Sequence, residues 1–504
     1  MQDSYDVIVV GSGMGAVTAA PLLARAGLSV LVVERAQAPG GYAHAFRRGP
    51  YVFDPAVHSI VDPSLFDGLL EHLGVRDQCT LLPTDRLYKA ALPDMAIDLP
   101  LTTSEEFVGI HANAFPRHAH EIRAFFELCE RIHREAHTLP AKVSLRDLDA
   151  VSQRLPLVFR YRKSTLAEVL DEHFSDERVK LACSAMGLLL GLPPSRLSFQ
   201  TFTQMLYGYI GNGAFYVQGG AEELVHALVT ALERAGGELL LGTGVERVLV
   251  EDRRAVGVEL EGGERIRAGA VISNADALQT FHRLVGAEHL PARFLRGLAR
   301  LQPSVSGFSV YAATRADLCA AGTSHMVFSW PSWDSDAAYA ASFGGRPGSM
   351  IAYVPTMVDS TLAPPGEHIV CSIAFAPYDL GAPWAEEKGR YEEMLLAETD
   401  RLLPGFRDGL TFADSGTPLT LERFSLNHRG AIYGWENTPE HTASKRPSHA
   451  TPIDGLYLAG QWTQPGAGFL RATVSGVHTA QLVMQGLGCA DGARFAHPNL
   501  PPLH

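Results

Sequence analysis

Positive charge is scarce in this chain: 42 Lys and Arg face 55 Asp and Glu, a formal net charge of −13 over 504 residues. That balance offers no basic field to displace counterions, which excludes nucleic acid as a general partner. Cysteine is sparse too. Cys79, Cys129, Cys183, Cys319, Cys371 and Cys489 lie far apart, with no Cys-x-x-Cys and no metal-ligand spacing. They read as reduced core thiols of a cytoplasmic protein, and no metal site is expected. A Gly-x-Ser-x-Gly elbow is missing, as is any pattern of a nucleophile triad, so serine-nucleophile hydrolysis finds no support. Residues 7–24 carry no charge and could pass for a membrane span in a hydropathy window, but the glycines and Pro21 within that run mark a strand–turn–helix instead. The first residues are acidic where a secretory signal would be basic. No internal repeat or low-complexity tract occurs.

What is present is an ordered globular composition, 46% hydrophobic and 19% charged. The length implies two or three lobes. Asp6 to Val10 is a short β-branched run, Ala16 to Ala26 has a helical pattern, and Leu28 to Val33 is a second β-branched run. Together they predict one βαβ unit at the N-terminus. Residues 65 to 210 read as mostly helical, with a capping box at Thr165 and Glu168. An α/β pattern returns over 215–275: a helix from Glu222, then strands at Leu239–Leu241, Val245–Val250, Ala255–Leu260 and Ala270–Ile272. Further strands are expected at Ser306–Ala312 and His368–Ala374, and a last strand and helix at Gly455–Gly460 and Phe469–Gln485.

The turn Gly11-Ser12-Gly13-Met14-Gly15-Ala16 carries the chemistry of the first unit. Gly11 permits a tight turn, Gly13 lets backbone approach a pyrophosphate, and Ala16 lets helix and strand pack closely. The helix start adds free amides and partial positive charge. Glu34 lies 21 positions after Gly13, at the end of the second strand, where a carboxylate accepts hydrogen bonds from ribose hydroxyls. These features predict dinucleotide binding, with Gly15 and Arg35 beside them.

Pro39-Gly40-Gly41 follows the ribose acid and resembles the extended fingerprint of FAD enzymes of the amine oxidase and phytoene desaturase superfamily. Where that family usually places Arg, this chain has Tyr42, so a usual positive charge near the flavin is missing. Further matches run in order along nearly the whole chain. They are Phe53-Asp54, Phe215 to Gly220 with Glu223-Leu224, Val245-Glu-Arg-Val248, and Val271-Ile-Ser-Asn274-Ala-Asp276. The closing strand and turn, Leu456 to Gly468, complete the series. The resemblance implies an α/β fold with a Rossmann-type FAD-binding domain assembled from residues 1–64, 211–300 and 426–488. A mixed-sheet and helical substrate domain is inserted over 65–210 and 301–425, and 489–504 forms a C-terminal arm. It implies non-covalent FAD, held also by Val245, Asn274, Gly460, Gln461, Gly466, Ala467, Gly468 and Phe469.

Within the superfamily the chain is similar to phytoene desaturases, carotenoid isomerases and retinol saturases. The segments Phe174–Pro194 and Pro418–Gly434 carry that likeness. It implies desaturation, saturation or isomerisation of C–C double bonds in a long isoprenoid or polyene. Leu155–Lys163 mixes apolar, aromatic and basic residues and reads either as a solvated connection or as a peripheral membrane contact. His58, four positions past Asp54, matches a histidine of the saturase- and isomerase-like relatives near the flavin ring. It and Tyr433 are the catalytic candidates, with His428 and Arg471 behind them. Two other readings stay open. One is a soluble oxidase of an amine or of a biosynthetic intermediate, for which Trp330, Trp333, Trp384 and Trp435 would have to form an aromatic cage. The other is a lipid escort of the Rab GDP-dissociation inhibitor type.

No His or Cys attachment motif for flavin is recognised in the chain. Acid precipitation of the purified protein is therefore expected to leave the yellow chromophore in the supernatant. Flavin carried down with the pellet would overturn the non-covalent assignment.

Overall fold

The computed structural model describes residues 2–84, 86–138, 152–489 and 495–500. The N-terminal β-branched run forms the strand Ser4–Val10, pairing in parallel with Val30–Val33 on one side and Arg265–Ser273 on the other. Every residue of Val30–Val33 is buried, as expected of a parallel strand covered on both faces. Glu238–Leu240 extends the sheet beyond Val30–Val33, and Leu456–Leu458 joins Arg265–Ser273 in parallel. The antiparallel strands Arg254–Leu260 and Val245–Glu251 complete seven strands. The strands thus come from three stretches separated by long insertions.

Two helices close one face of this sheet. Met14–Arg25 and Phe469–Gly486 approach so tightly that a Cβ on Gly476 would strike the Gly15 carbonyl and Thr18. Glu222–Arg234 packs beside them through Leu224, Val225, Leu228 and Leu232.

A second seven-stranded sheet is built mostly from Ser306–Thr314, Met326–Ser329, Met350–Tyr353, His368–Ala376 and Leu410–Gly416. It also takes Arg86–Ala91 and Ala96–Pro100 from the region expected to be mostly helical. The burial of Ala96–Pro100 alternates strictly. The strand is five residues long, too short for its period to stand out from the flanking helices. Helices dominate the rest of that region, including Ala119–His137, Leu166–His173 and Phe199–Asn212. The capping box holds: the Glu168 N–H donates to Thr165 Oγ1 at 3.3 Å, and the Thr165 N–H to Glu168 Oε2 at 2.9 Å.

Three expectations need adjustment. In Leu155–Lys163, Leu155 and Tyr161 are buried and Leu157 and Val158 pack on the core, so the apolar side of that run faces inward. Cys319 stands exposed, unlike the buried thiols of Cys79, Cys129, Cys183 and Cys371. The tail folds back instead of extending away: Phe495 is buried, and the Asn499 amide donates to Asp62 Oδ1 at 3.0 Å. Pro501 and Pro502 lie outside the described residues.

Asp54 stitches the first segment to the second. Its carboxyl accepts the Ala221 N–H at 3.0 Å and a hydrogen bond from the Tyr216 hydroxyl. Burial lifts its pKa from 3.8 to about 7, helped by the charges of Glu222 and Asp359, while the two donors pull it down. The folded state therefore keeps a proton that the unfolded chain loses above pH 3.8. Asp54 erodes stability as pH rises from 3.8 towards 7 and adds no further slope above that. Asp54→Asn is expected to gain stability relative to wild type across that interval, read as the difference between their urea-unfolding curves at each pH. A difference that stays flat from pH 4 to 7 would remove Asp54 as the cause.

Candidate active site

The first strand runs into Gly11 at φ +85°, and the helix Met14–Arg25 begins at Gly13 with no side-chain cap. Backbone amides left free at a helix start form an anion site. The glycines have a second reason that spacing did not reveal. A Cβ on Gly13 would collide with the Asn274 amide nitrogen. One on Gly15 would lie 2.7 Å from Asn274 Oδ1 and 2.5 Å from the Gly460 nitrogen. Asn274 Oδ1 also accepts the Ala16 N–H at 3.1 Å. Asn274 thus braces the turn.

Glu34 sits at the end of Val30–Val33. Its Oε2 accepts the Ser12 N–H at 2.8 Å and the Ser12 hydroxyl at 2.7 Å, and its Oε1 takes the Ala36 N–H at 2.7 Å. A carboxylate has about four acceptor positions, so capacity remains for ribose hydroxyls. The Thr243 N–H donates to the Glu34 carbonyl at 3.1 Å, which brings Val245 to the same end of the sheet. Gly40 and Gly41 both take positive φ, and the Gly40 N–H donates to the Ser12 carbonyl at 3.0 Å. Arg35 directs its guanidinium to the Arg423 carbonyl at 3.1 Å, at the end of the helix Pro418–Ser425.

The closing turn meets the first from the other side. Gly460 takes φ +90° and donates to Ser475 Oγ at 2.9 Å. Gly466 and Gly468 also take positive φ, and open space surrounds a Cβ built on Gly468. The helix Phe469–Gly486 starts at Gly468 with no side-chain cap. Ala467 is buried beside it, and the Phe469 ring stacks on Phe66 at 5.5 Å. Behind this turn lies Arg446, which sequence reasoning missed. Its guanidinium donates to the carbonyls of His441, Trp435 and Gln461. No carboxylate pairs with it among the described residues. Burial, with the charge of Arg471, lowers its pKa to about 9, so it stays a cation at neutral pH. No motif announced it, because an arginine held by backbone carbonyls has no partner visible in sequence.

These residues fit FAD. Two uncapped helix starts flank a glycine-lined space, Glu34 has lone pairs to give, and Arg446 with Arg471 supplies positive charge on a chain that has Tyr42 in place of the usual arginine. The glycine turns, Glu34, Gly40-Gly41, Val245 and Gly460–Phe469 would hold it.

Beside this space lies a cavity of about 90 Å³. Its wall includes Tyr42, Pro55, Ala56, Ile351, Tyr353 and Tyr433, with Leu421 from the helix Pro418–Ser425. No charged side chain belongs to that wall; its polar groups are the hydroxyls of Tyr42, Ser309, Ser349, Tyr353 and Tyr433. Burial raises the pKa of all three tyrosines, so they keep their protons. Tyr42 donates to the Ala431 carbonyl at 3.2 Å. Tyr433 lies over Gly191, whose φ of +77° and missing Cβ leave room for the ring.

Of the two catalytic candidates, the structure brings only Tyr433 to the cavity. The chain after Asp54 sends Pro55 and Ala56 to the wall, and His58 turns away behind it. Its imidazole stacks on Tyr353 at 4.2 Å, and neither ring nitrogen has a partner. Burial, with the charge of His325, lowers its pKa to about 3, so it is neutral at physiological pH. His428 gives its N–H to Asp276 at 2.6 Å and takes no place on the wall. The four tryptophans lie in three separate cores and form no cage.

Comparisons with known proteins agree with this geometry. The chain is 26% identical to the all-trans-retinol 13,14-reductase of Danio rerio, over 91% of this chain and 82% of that protein. It is 27% identical to a lycopene-forming phytoene desaturase of a Paracoccus species, over 96% and 98% of the two chains. A double mutant of putrescine oxidase shares the fold, with a TM-score of 0.67 at 16% identity over 96% of this chain and 99% of that one. The profile of the family described as flavin containing amine oxidoreductase matches residues 17–484. With FAD as its cofactor, the chain belongs to that family as an FAD-dependent oxidoreductase.

Proposed function

We propose that the protein acts on C–C bonds of a long apolar, isoprenoid- or polyene-like substrate held in the Tyr42–Tyr433 cavity. The uncharged wall carries this reading. An amine substrate entering as an ammonium ion would lose its hydration, which a carboxylate replaces best. The wall offers no carboxylate, whereas a neutral hydrocarbon chain needs only apolar contact. Bound flavin supplies the hydride acceptor or donor at N5. The protein's residues hold the chain, exclude water and keep their own protons. Tyr433 and Tyr353 offer hydroxyls without negative charge, and the neutral His58 ring fixes the Tyr353 ring from behind. A proton exchanged during net desaturation or saturation passes to or from solvent, not His58.

A lipid surface fits the same end of the molecule. No helix among the described residues is long and apolar enough to cross a membrane. The helix Pro418–Ser425, however, exposes Leu419 (43%) and Phe424 (63%) while Leu421 lines the cavity. Arg423 lies over the Phe424 ring at 5.6 Å. An apolar substrate leaving a bilayer there would reach the cavity without crossing water.

Two measurements test these readings. An unbranched polyene should perturb the flavin absorbance of the holoenzyme and putrescine should not; the reverse result would exclude the polyene reading. In the same assay His58→Ala should keep turnover within about threefold, because loss of a general acid or base typically removes 10²–10⁴-fold. For the lipid contact, wild type should sediment with anionic vesicles, and the Leu419→Ser, Phe424→Ser double variant should stay largely in the supernatant. Equal sedimentation of the two would dismiss the helix as the contact.

A further inference from the structure

The cavity has a second, smaller lobe. Leu188, Ser349 and Phe375 belong to the walls of both spaces and form the neck between them. Beyond the neck the wall includes Leu192, Trp330, Tyr339 and Ser342. Rigid elements hold this end. Trp330 follows the strand Met326–Ser329 and donates its backbone N–H to the Ala91 carbonyl at 2.9 Å, while Ser349 directly precedes the strand Met350–Tyr353. Ser342 ends the helix Ser335–Ala341 beside Gly348, where any Cβ would come within 2.5 Å of the Ser342 hydroxyl oxygen.

Three polar groups of this lobe have no hydrogen-bond partner among the described residues: the Trp330 indole N–H, the Ser342 hydroxyl and the Ser349 hydroxyl. Their residues are 5%, 0% and 3% exposed. A buried polar group without a partner forfeits more than a typical hydrogen bond gains, so native interiors hold few of them. Here three line one small space that adjoins the substrate cavity. The chemistry of the missing partner follows from the donor set. An indole N–H only donates, whereas a serine hydroxyl both donates and accepts. The partner must therefore bring an acceptor. It must also be neutral, because no charged side chain lines the lobe and a buried ion without a counter-charge is strongly disfavoured.

We propose that this lobe seats a neutral oxygen end group, a hydroxyl or carbonyl, of the substrate. The apolar remainder runs back through the Leu188–Phe375 neck towards Tyr433. The substrate is then an oxygen-terminated isoprenoid or polyene rather than a pure hydrocarbon. This rests on the reading that the main cavity takes a long apolar chain, and it narrows that reading to one class.

The test uses the FAD-loaded full chain and two probes, all-trans-retinol and the hydrocarbon of the same skeleton lacking the hydroxyl. Each is titrated anaerobically while flavin absorbance is followed. Wild type should bind the alcohol about 10- to 100-fold more tightly than the hydrocarbon, the range expected when a matched hydrogen bond replaces unsatisfied groups. Trp330→Phe keeps the ring but loses the N–H, and should weaken the alcohol towards the hydrocarbon's affinity while leaving FAD content and hydrocarbon binding unchanged. Ser342→Ala, a smaller change, should act in the same direction if Trp330→Phe disturbs folding. Equal affinities in wild type would overturn the proposal and leave a bound water as the lobe's occupant. A preference that survives in both variants would place the oxygen elsewhere and overturn it as well. If neither probe perturbs the flavin, the apolar-chain reading fails and this inference falls with it, a result distinct from equal, measurable binding.

Discussion

The Asn274 amide stands where the ends of three parallel strands meet, and the spacing of the cofactor half follows from it. Its backbone N–H is held by the Val10 carbonyl at 2.9 Å, and the Ala459 N–H is held by the Ser273 carbonyl at 2.9 Å. The side chain then occupies the volume that Cβ atoms would need on Gly13, Gly15 and Gly460. Three glycines drawn from two ends of the chain are required by one amide. Larger residues at any of them would push the first turn, the closing turn or the strand apart, and the two uncapped helix starts would no longer face one space. Glu34 and Ser12 lock the other side of the turn by two hydrogen bonds, so the glycine loop is braced on both flanks.

The substrate half is organised by neutrality. Its sheet presents small, apolar and hydroxyl-bearing side chains to the cavity, and burial shifts titratable groups near it towards their neutral forms. His58 is neutral because it is desolvated, and Asp54 is half-protonated near neutral pH for the same reason. The cationic Arg446 lies on the cofactor side, held by carbonyl dipoles. A low-dielectric cavity beside it strengthens electrostatic interactions with the flavin and offers no carboxylate to a charged substrate.

What the sequence made legible was whatever needs a special backbone. Positive φ at Gly11, Gly40, Gly460 and Gly468, and uncapped helix starts after glycine pairs, are local demands that leave fixed letters in the chain. Capping at Thr165 and Glu168 is local in the same way. Long-range pairing was not legible: Arg86–Ala91 is a strand because Met326–Ser329 lies beside it, far away in sequence. The direction of His58 was equally hidden, since four residues past Asp54 fix a distance along the chain but not a side of the wall. Arg446 and the empty-handed hydroxyls of Ser342 and Ser349 become visible only when every neighbour can be enumerated.

The sheet that cradles the cofactor takes its first strands from residues 4–33 and its last from 456–458. During synthesis at roughly 5–20 residues per second, the N-terminal βαβ unit therefore waits on the order of 20–90 s for the strand and helix that complete it. Throughout that interval the apolar face of Met14–Arg25 lacks the helix Phe469–Gly486, and the edge of Arg265–Ser273, once made, lacks Leu456–Leu458. A premature stop before Leu456 would remove one of the seven strands and the helix that covers Met14–Arg25, leaving an apolar face bare.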